Sequence, residues 1–275
     1  VTPGPIANFT SDTVCEGDST TFTDLSQFTP PLGVEIQTWL WDFGDGNTST
    51  DQNPTHLYSN AGVYNAVLIV TDTNGCQGYD TNVVIVDTLP IANFSFTDTI
   101  CLGDTTFFSD LSVNTSGNIN NWQWNFGDGN TSTDINPYHI YSNPGTYTVT
   151  LTVTDDNLCT HTDTQIVIIR PNPRASFTAT TVCVGDTTEL ISTSISDSIY
   201  ANIAGTINSW QWNFGDGNGY GDDLDIIQHA YTSDGPYLVT LIVTDQYGCD
   251  TEVSDSVYVT PGPIANFTSD TVCEG

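Results

Sequence analysis

Trp39-Leu40-Trp41-Asp42-Phe43-Gly44-Asp45-Gly46 is the stretch on which the reading of this chain turns. Trp41 and Phe43 alternate with Leu40 and Asp42, which makes a strand with one aromatic face and one mixed face. Gly44-Asp45-Gly46 supplies residues that tolerate positive φ, so the strand runs into a tight turn. The same words return as Trp122-Gln123-Trp124-Asn125-Phe126-Gly127-Asp128-Gly129 and as Trp210-Gln211-Trp212-Asn213-Phe214-Gly215-Asp216-Gly217. Trp41, Trp124 and Trp212 are 83 and 88 residues apart, a domain-sized period.

Working outward, each copy is spelled in the same order. A Phe-bearing strand opens it at Phe9, Phe94 and Phe177. A Cys-x-Gly-Asp turn follows, beginning at Cys15, Cys101 and Cys183. After the Trp strand comes a His-x-Tyr step at His56, His139 and His229. A Gly-x-Tyr turn then opens the longest strand, which alternates cleanly in Tyr147-Thr148-Val149-Thr150-Leu151-Thr152-Val153-Thr154. That strand ends at Asp72, Asp155 or Asp245, and a turn with a second Cys leads to a closing strand. Seven or so short strands per unit predict an all-β fold of tandem antiparallel two-sheet sandwiches. The expected domains are residues 1–87, 88–171 and 172–260, with 261–275 starting a fourth copy.

Val259–Gly275 repeats Val1–Gly17 without a change, so three domains make a period of 258 residues. The expectation is a longer parent built from further copies of the same repeat. The linkers carry proline at Pro90, Pro171, Pro173, Pro261 and Pro263, which fixes φ and restricts the preceding residue. Stiff, extended joints of this kind predict an elongated array, with self-association into a filament as a further expectation.

Composition limits the partners. The formal charge is −31, and the only cationic side chains of the Lys/Arg type are Arg170 and Arg174. Such a surface repels nucleic acid and anionic membranes. The acid is dispersed, and 37% hydrophobic with 11% aromatic residues argues for folded cores. No run reaches the roughly 18 apolar residues of a membrane span, so no membrane insertion is expected in this segment.

Trp-x-Trp-Asp/Asn-Phe-Gly-Asp-Gly, Asn-Pro-x-His-x-Tyr and Gly-x-Tyr-x-Val resemble the PKD (polycystic kidney disease) domain, in three copies and the start of a fourth. The added Cys-x-Gly-Asp and late Cys resemble PKD repeats in giant surface adhesins of Bacteroidota, including gliding-motility adhesins. The resemblance implies Ig-like sandwiches serving as extracellular spacers or binding modules. The third copy departs from the pattern: it has Asp222-Asp223-Leu224-Asp225 in place of Asn-Pro before His229, and a longer Ile195–Ile207 segment.

The seven cysteines are Cys15, Cys76, Cys101, Cys159, Cys183, Cys249 and Cys273. Two per copy in an extracellular-looking chain favour disulfides over metal ligation, since none lie at C-x-x-C spacing. Two pairings stay open. One is within a copy: Cys15–Cys76, Cys101–Cys159 and Cys183–Cys249. The other joins neighbours, Cys15–Cys159 and Cys101–Cys249, because in an Ig-like sandwich the two turns of one copy lie at opposite ends.

Other candidates are weighed against plainer roles. Asp45, Asp128 and Asp216 are expected to cap their own turns, and the His-x-Tyr histidines to hold a strand edge. Asp-rich junctions, including Asp98, Asp104, Asp155 and Asp156, are candidates for Ca²⁺, with no EF-hand spacing behind them. Asp-Ser/Thr-apolar triplets place candidate O-glycosylation at Thr13, Thr88, Thr99, Ser198 and Ser256. A Thr- and Asp-rich β protein also makes such triplets by accident. Asn47, Asn114 and Asn130 head Asn-x-Ser/Thr sequons. No Ser-His-Asp, H-E-x-x-H or phosphate-loop motif is present, so no catalytic residue and no cofactor is assigned. The leading expectation is a structural segment of a long, repetitive, extracellular cell-surface adhesin or filament. The competing one is a set of carbohydrate- or protein-binding modules attached to a secreted enzyme, using exposed aromatics such as Tyr79, Tyr200, Tyr220 and Tyr247.

Overall fold

The computed structural model describes residues 4–28, 34–218 and 223–268. The departure at Asp222, the aromatic candidate Tyr220 and the seventh cysteine, Cys273, lie outside the described residues. Two compact units divide the chain. One comprises Val1–Ser95, Phe108–Pro137 and Val149–Gln165, so the first repeat with parts of the middle one; the other comprises Phe96–Phe107, Tyr138–Thr148 and Ile166–Gly275, so the third repeat with the rest of the middle one.

In the first unit, the first repeat is a sandwich of two sheets. One sheet runs, edge to edge, Val14–Cys15, Gln77–Asp87, Gly62–Asp72, Ile36–Asp42 and Thr48–Ser49. The other runs Phe9–Ser11, Ser19–Asp24 and Thr55–Leu57. In the second unit, the third repeat follows the same plan. Val182–Cys183, Asp250–Thr260, Gly235–Asp245 and Ile207–Asn213 face Phe177–Ala179, Thr187–Ser192 and Ile226–Ala230.

The long strands alternate because every second side chain enters the core. Ala66, Leu68, Val70 and Asp72 are buried in one repeat, and Val239, Leu241, Val243 and Asp245 in another. The Trp strand pairs against this ladder in a constant register, with Trp41 opposite Leu68, Trp124 opposite Leu151 and Trp212 opposite Leu241. All three indoles are fully buried. The opening Phe meets each edge-on: Phe9–Trp41 at 5.0 Å, Phe94–Trp124 at 5.1 Å and Phe177–Trp212 at 5.4 Å between ring centres. Edge-to-face pairs of this kind add about 0.5–1.5 kcal/mol beyond their buried area. Each of these indole N–H groups also finds a carbonyl, Trp41 on Asp51 at 2.8 Å, Trp124 on Asp134 at 2.9 Å and Trp212 on Leu224 at 3.0 Å.

The opening strand is broken in two. Phe9–Ser11 joins the smaller sheet, and Val14–Cys15 crosses to the larger one and runs parallel to the end of the closing strand, with Cys15 opposite Asp87. Cys101 lies opposite Arg170 and Cys183 opposite Thr260 in the same way. The first cysteine of each repeat is therefore fixed beside that repeat's exit.

Candidate functional site

The second cysteine of each repeat is held by an aspartate that strand alternation turns inward. Asp72 Oδ1 accepts from the backbone N–H groups of Asn74 at 2.8 Å and Cys76 at 2.9 Å. Asp155 does the same for Asn157 and Cys159, and Asp245 for Tyr247 and Cys249. A buried carboxylate is costly unless its lone pairs are used, and here the turn N–H groups use them. The turn is thereby locked with the thiol projecting from it.

Cys15 is bonded to Cys159, with a Cα–Cα distance of 5.6 Å, and Cys101 is bonded to Cys249 at 5.5 Å. The first bond joins the first repeat to the middle one inside one unit; the second joins the middle repeat to the third inside the other. The within-copy pairs Cys15–Cys76, Cys101–Cys159 and Cys183–Cys249 are not formed. Strand length rules them out. Cys15 sits opposite Asp87, at the far end of the eleven-residue strand Gln77–Asp87, whose other end carries Cys76. Eleven residues of strand span about 35 Å, against a disulfide limit near 7 Å between Cα atoms.

The lining of the two junctions differs. At the first, Asn114 donates to Asp155 Oδ2 at 3.0 Å, and the hydroxyls of Thr88 and Ser116 bond each other. Cys15, Leu89, Leu158 and Thr160 border a shallow cleft there. At the second, the Arg170 guanidinium lies 3.4 Å from the centre of the Tyr247 ring and donates to the Ile203 carbonyl at 2.8 Å. Asn172 donates to the Leu102 carbonyl at 3.2 Å. Tyr247 is exposed, with Arg170 covering one face of its ring. Tyr79 is exposed and Tyr200 half-buried, while Tyr138 and Tyr258 are exposed aromatics the sequence did not single out.

The Gly-Asp-Gly turns spend their aspartates on the turn itself and on the His-x-Tyr histidine. Gly44 has φ 82°, and a Cβ there would run into the Asn65 backbone. Asp45 accepts from the Asn47 N–H at 3.0 Å and from His56 at 2.8 Å, and Asp216 pairs with Asn218 and His229 in the same way. Burial pushes the Asp45 carboxyl up, but hydrogen bonds from Asn47 and His56 outweigh it and hold the group below its ordinary value. The His56 ring stacks on Phe43 at 4.1 Å, and His229 on Phe214 at 4.0 Å. Desolvation, with Asp216 and Tyr237 nearby, pushes the Tyr231 hydroxyl up to about 12. No sequence motif links the aspartate to the histidine. The Asp and His motifs lie 11 and 13 residues apart, and only the sheet-to-sheet crossing brings them together.

The remaining candidates are scattered. Among the described residues no group of three or more His, Cys, Asp or Glu side chains converges as a metal site. Asp155 uses both oxygens as described, Asp104 accepts from Cys101 N–H, Asp156 accepts from Asn118 N–H, and Asp98 is exposed. Thr13, Thr99, Ser198 and Ser256 are exposed; Thr88 is half-buried. Asn47 and Asn130 spend their side-chain amides on Asp45 and Asp128, and Asn114 on Asp155.

Comparison with known proteins bears on the whole chain. Residues 2–86, 87–169 and 170–261 each match the PKD domain. A microbial collagenase of Vibrio alginolyticus is 44% identical over 80 residues, 27% of this chain and 10% of that protein. The pre-pro-metalloprotease PrtV of Vibrio cholerae serotype O1 is 34% identical over 124 residues, 44% of this chain and 13% of that protein. The chain thus spans about a tenth of the length of these relatives. The crystal structure of the PKD1 domain of Vibrio cholerae PrtV is 36% identical, covering 30% of this chain and 96% of its own, with a TM-score of 0.28. With the three matches accounting for nearly every residue, the chain belongs to the PKD domain family, as three tandem all-β sandwiches.

Proposed function

We propose that this chain is a non-catalytic spacer of an exported protein, in which successive PKD domains are covalently locked to one another. The observation that carries this is the pair of disulfides between neighbouring repeats, Cys15–Cys159 and Cys101–Cys249. Bonds of this kind persist in oxidising compartments outside the cytosol. They add to the tryptophan core of each fold a covalent constraint on the joints. The acidic surface, with a formal charge of −31, keeps the spacer from nucleic acid and anionic membranes.

Two settings fit such a spacer. The relatives, a collagenase and a metalloprotease, favour the first: carbohydrate- or protein-binding modules attached to a secreted enzyme. The recurrence of Val1–Gly17 as Val259–Gly275 supports the second, a long repetitive surface adhesin or filament of the Bacteroidota type, with gliding motility as one use. Binding of the folded chain to fibrillar collagen and to insoluble polysaccharides separates them. Saturable binding that weakens when exposed Tyr79 and Tyr258 are changed to Ala supports the enzyme-attached setting; no binding to any of these polymers overturns it. Pulling single molecules tests the spacer itself. The oxidised chain should extend to about a third of the length reached after reduction, because the two bonds short-circuit the chain. Equal lengths would overturn the covalent-spacer reading.

A further inference from the structure

Cys76 and Cys183 have no disulfide partner among the described residues, and both are half-buried. Each nevertheless sits in a setting that is bonded elsewhere in the same chain. Cys183 is the third-repeat counterpart of Cys15 and Cys101. All three lie on a two-residue strand parallel to the repeat's exit, and the next N–H bonds the exit carbonyl: Glu16 to Asp87 at 2.8 Å, Leu102 to Arg170 at 2.8 Å and Val184 to Thr260 at 2.9 Å. Cys76 is the first-repeat counterpart of Cys159 and Cys249, on the same aspartate-locked turn. In both formed bonds the polarity is fixed: the first cysteine of one repeat takes the second cysteine of the repeat that follows.

A second observation, independent of that homology, places Cys76 and Cys183 at one linker. Cys183 lies opposite Thr260. Two residues further on is Gly262, which is Gly4 again in the 258-residue period. Gly4 packs against Cys76: a Cβ built on Gly4 would be 3.5 Å from Cys76 Cβ. The same five-residue linker, Val-Thr-Pro-Gly-Pro, thus touches Cys183 where it leaves a third repeat and Cys76 where it enters a first repeat. The residues after it, Ile264 and Phe267, are Ile6 and Phe9 again in the same period, and Phe9 is buried in a sandwich core.

We infer that Cys183 of one copy of this three-domain segment forms a disulfide with Cys76 of the next copy, so that copies are stapled head to tail in a single polarity. The partner is a second copy of this chain, joined as the period dictates. The inference stands whether the array accompanies an enzyme or forms a surface fibre. The bond forms by exchange with a disulfide oxidant such as oxidised glutathione. The Cys183 thiolate attacks one sulfur of the oxidant, making a mixed disulfide and releasing one thiol. The Cys76 thiolate then attacks the Cys183 sulfur, making the Cys76–Cys183 bond and releasing the second thiol. The two protein thiols give up two electrons and two protons, and the oxidant leaves as two thiols.

The test uses a two-copy chain in which Val259–Gly275 of the first copy serve as Val1–Gly17 of the second, with the terminal Cys273→Ser. In a forward version only Cys183 of the first copy and Cys76 of the second are kept, the other two being serine. In a reverse version only Cys76 of the first copy and Cys183 of the second are kept. Both are refolded with reduced and oxidised glutathione, alkylated and mapped by mass spectrometry. The four remaining staples in each molecule report correct folding, and the unsubstituted two-copy chain is mapped alongside in case a variant misfolds. The forward version should yield a Cys183–Cys76 cross-linked peptide and at least a tenfold loss of alkylation at those residues relative to the reverse version, where both stay alkylated. Alkylation of both cysteines in the forward version while the other staples are intact overturns the inference. So does equal cross-linking in the two versions, or a map of the unsubstituted chain lacking that peptide.

Discussion

Cys15 and Cys159 join the first repeat to the second, and Cys101 and Cys249 join the second to the third, with nearly the same Cα–Cα distance. Around these bonds the two junctions share little. The first is lined by Asn114 on Asp155 and by the Thr88–Ser116 hydroxyl pair. The second has a cation on an aromatic face, Arg170 over Tyr247, and that same cation reaches the Ile203 carbonyl in the longer segment peculiar to the third repeat. The difference teaches that the covalent bond, not the side-chain lining, sets the geometry of the joint. A bond needs only two locked turns in the right places, so the lining is free to vary.

The sharpest way to break the comparison is to remove the bonds. Cys159→Ser with Cys15→Ser, and separately Cys249→Ser with Cys101→Ser, close or open loops of 144 and 148 residues. Each loss should cost about 4–5 kcal/mol in the chain-entropy account, by denaturant unfolding of otherwise oxidised protein. Nearly equal losses are expected, since loop length is nearly equal. A loss at the second junction smaller by several kcal/mol would mean that the Arg170 lining, rather than the bond, holds that joint.

Next in size are the aspartates that aim the thiols. Asp155 and Asp245 each accept two turn N–H groups while buried, so Asp155→Ala and Asp245→Ala should cost about 2–3 kcal/mol apiece. Asp155→Ala should be the worse of the two, because Asn114 also loses its acceptor. Slower oxidation of the adjacent cysteine, followed by alkylation during refolding, checks that the effect passes through the turn.

These aspartates mark where the sequence stopped being legible. The tryptophans, the glycine turns and the seven-strand plan were readable because each is a local signal: alternation for burial, glycine for positive φ. An aspartate ending a strand reads by itself as a solvated cap, yet Asp72, Asp155 and Asp245 continue the inward face of Leu68, Leu151 and Leu241. The turn N–H groups that make this tolerable belong to residues two and four positions on. The disulfide choice was open for a related reason: it depends on which end of an eleven-residue hairpin strand each cysteine occupies, a distance and not a motif. Arg170 and Tyr247 are 77 residues apart, and no local pattern announces a stacked cation.

That stacked cation gives the third test. Arg170→Ala should cost about 1–2 kcal/mol, the range for a partly desolvated cation on an aromatic ring plus its carbonyl hydrogen bond. The effect should be confined to the second junction. Amide exchange of the Tyr247–Cys249 turn should quicken, while the Asn157–Cys159 turn stays as it was. Quickening at both turns would show that the two joints are coupled and that comparing them as separate devices is wrong.

The smallest expected effect runs the other way. In the turns before the second cysteine, Gly75 and Gly248 have φ of 82° and 87°, and Leu158 holds the corresponding place in the middle repeat with φ 68°. A side chain in this left-handed region costs roughly 1–2 kcal/mol against glycine. Leu158 recovers little by packing, since 79% of it is exposed. Leu158→Gly should therefore stabilise the first junction by up to about 1 kcal/mol once the extra freedom of glycine in the unfolded chain is allowed for. A rise of a few degrees in Tm for the oxidised protein is the readout. A fall instead would mean that Leu158, at the edge of the cleft with Cys15 and Leu89, contributes packing that its exposure conceals. The first junction would then have a lining as specific as the second, made of aliphatic contact where the other uses a cation.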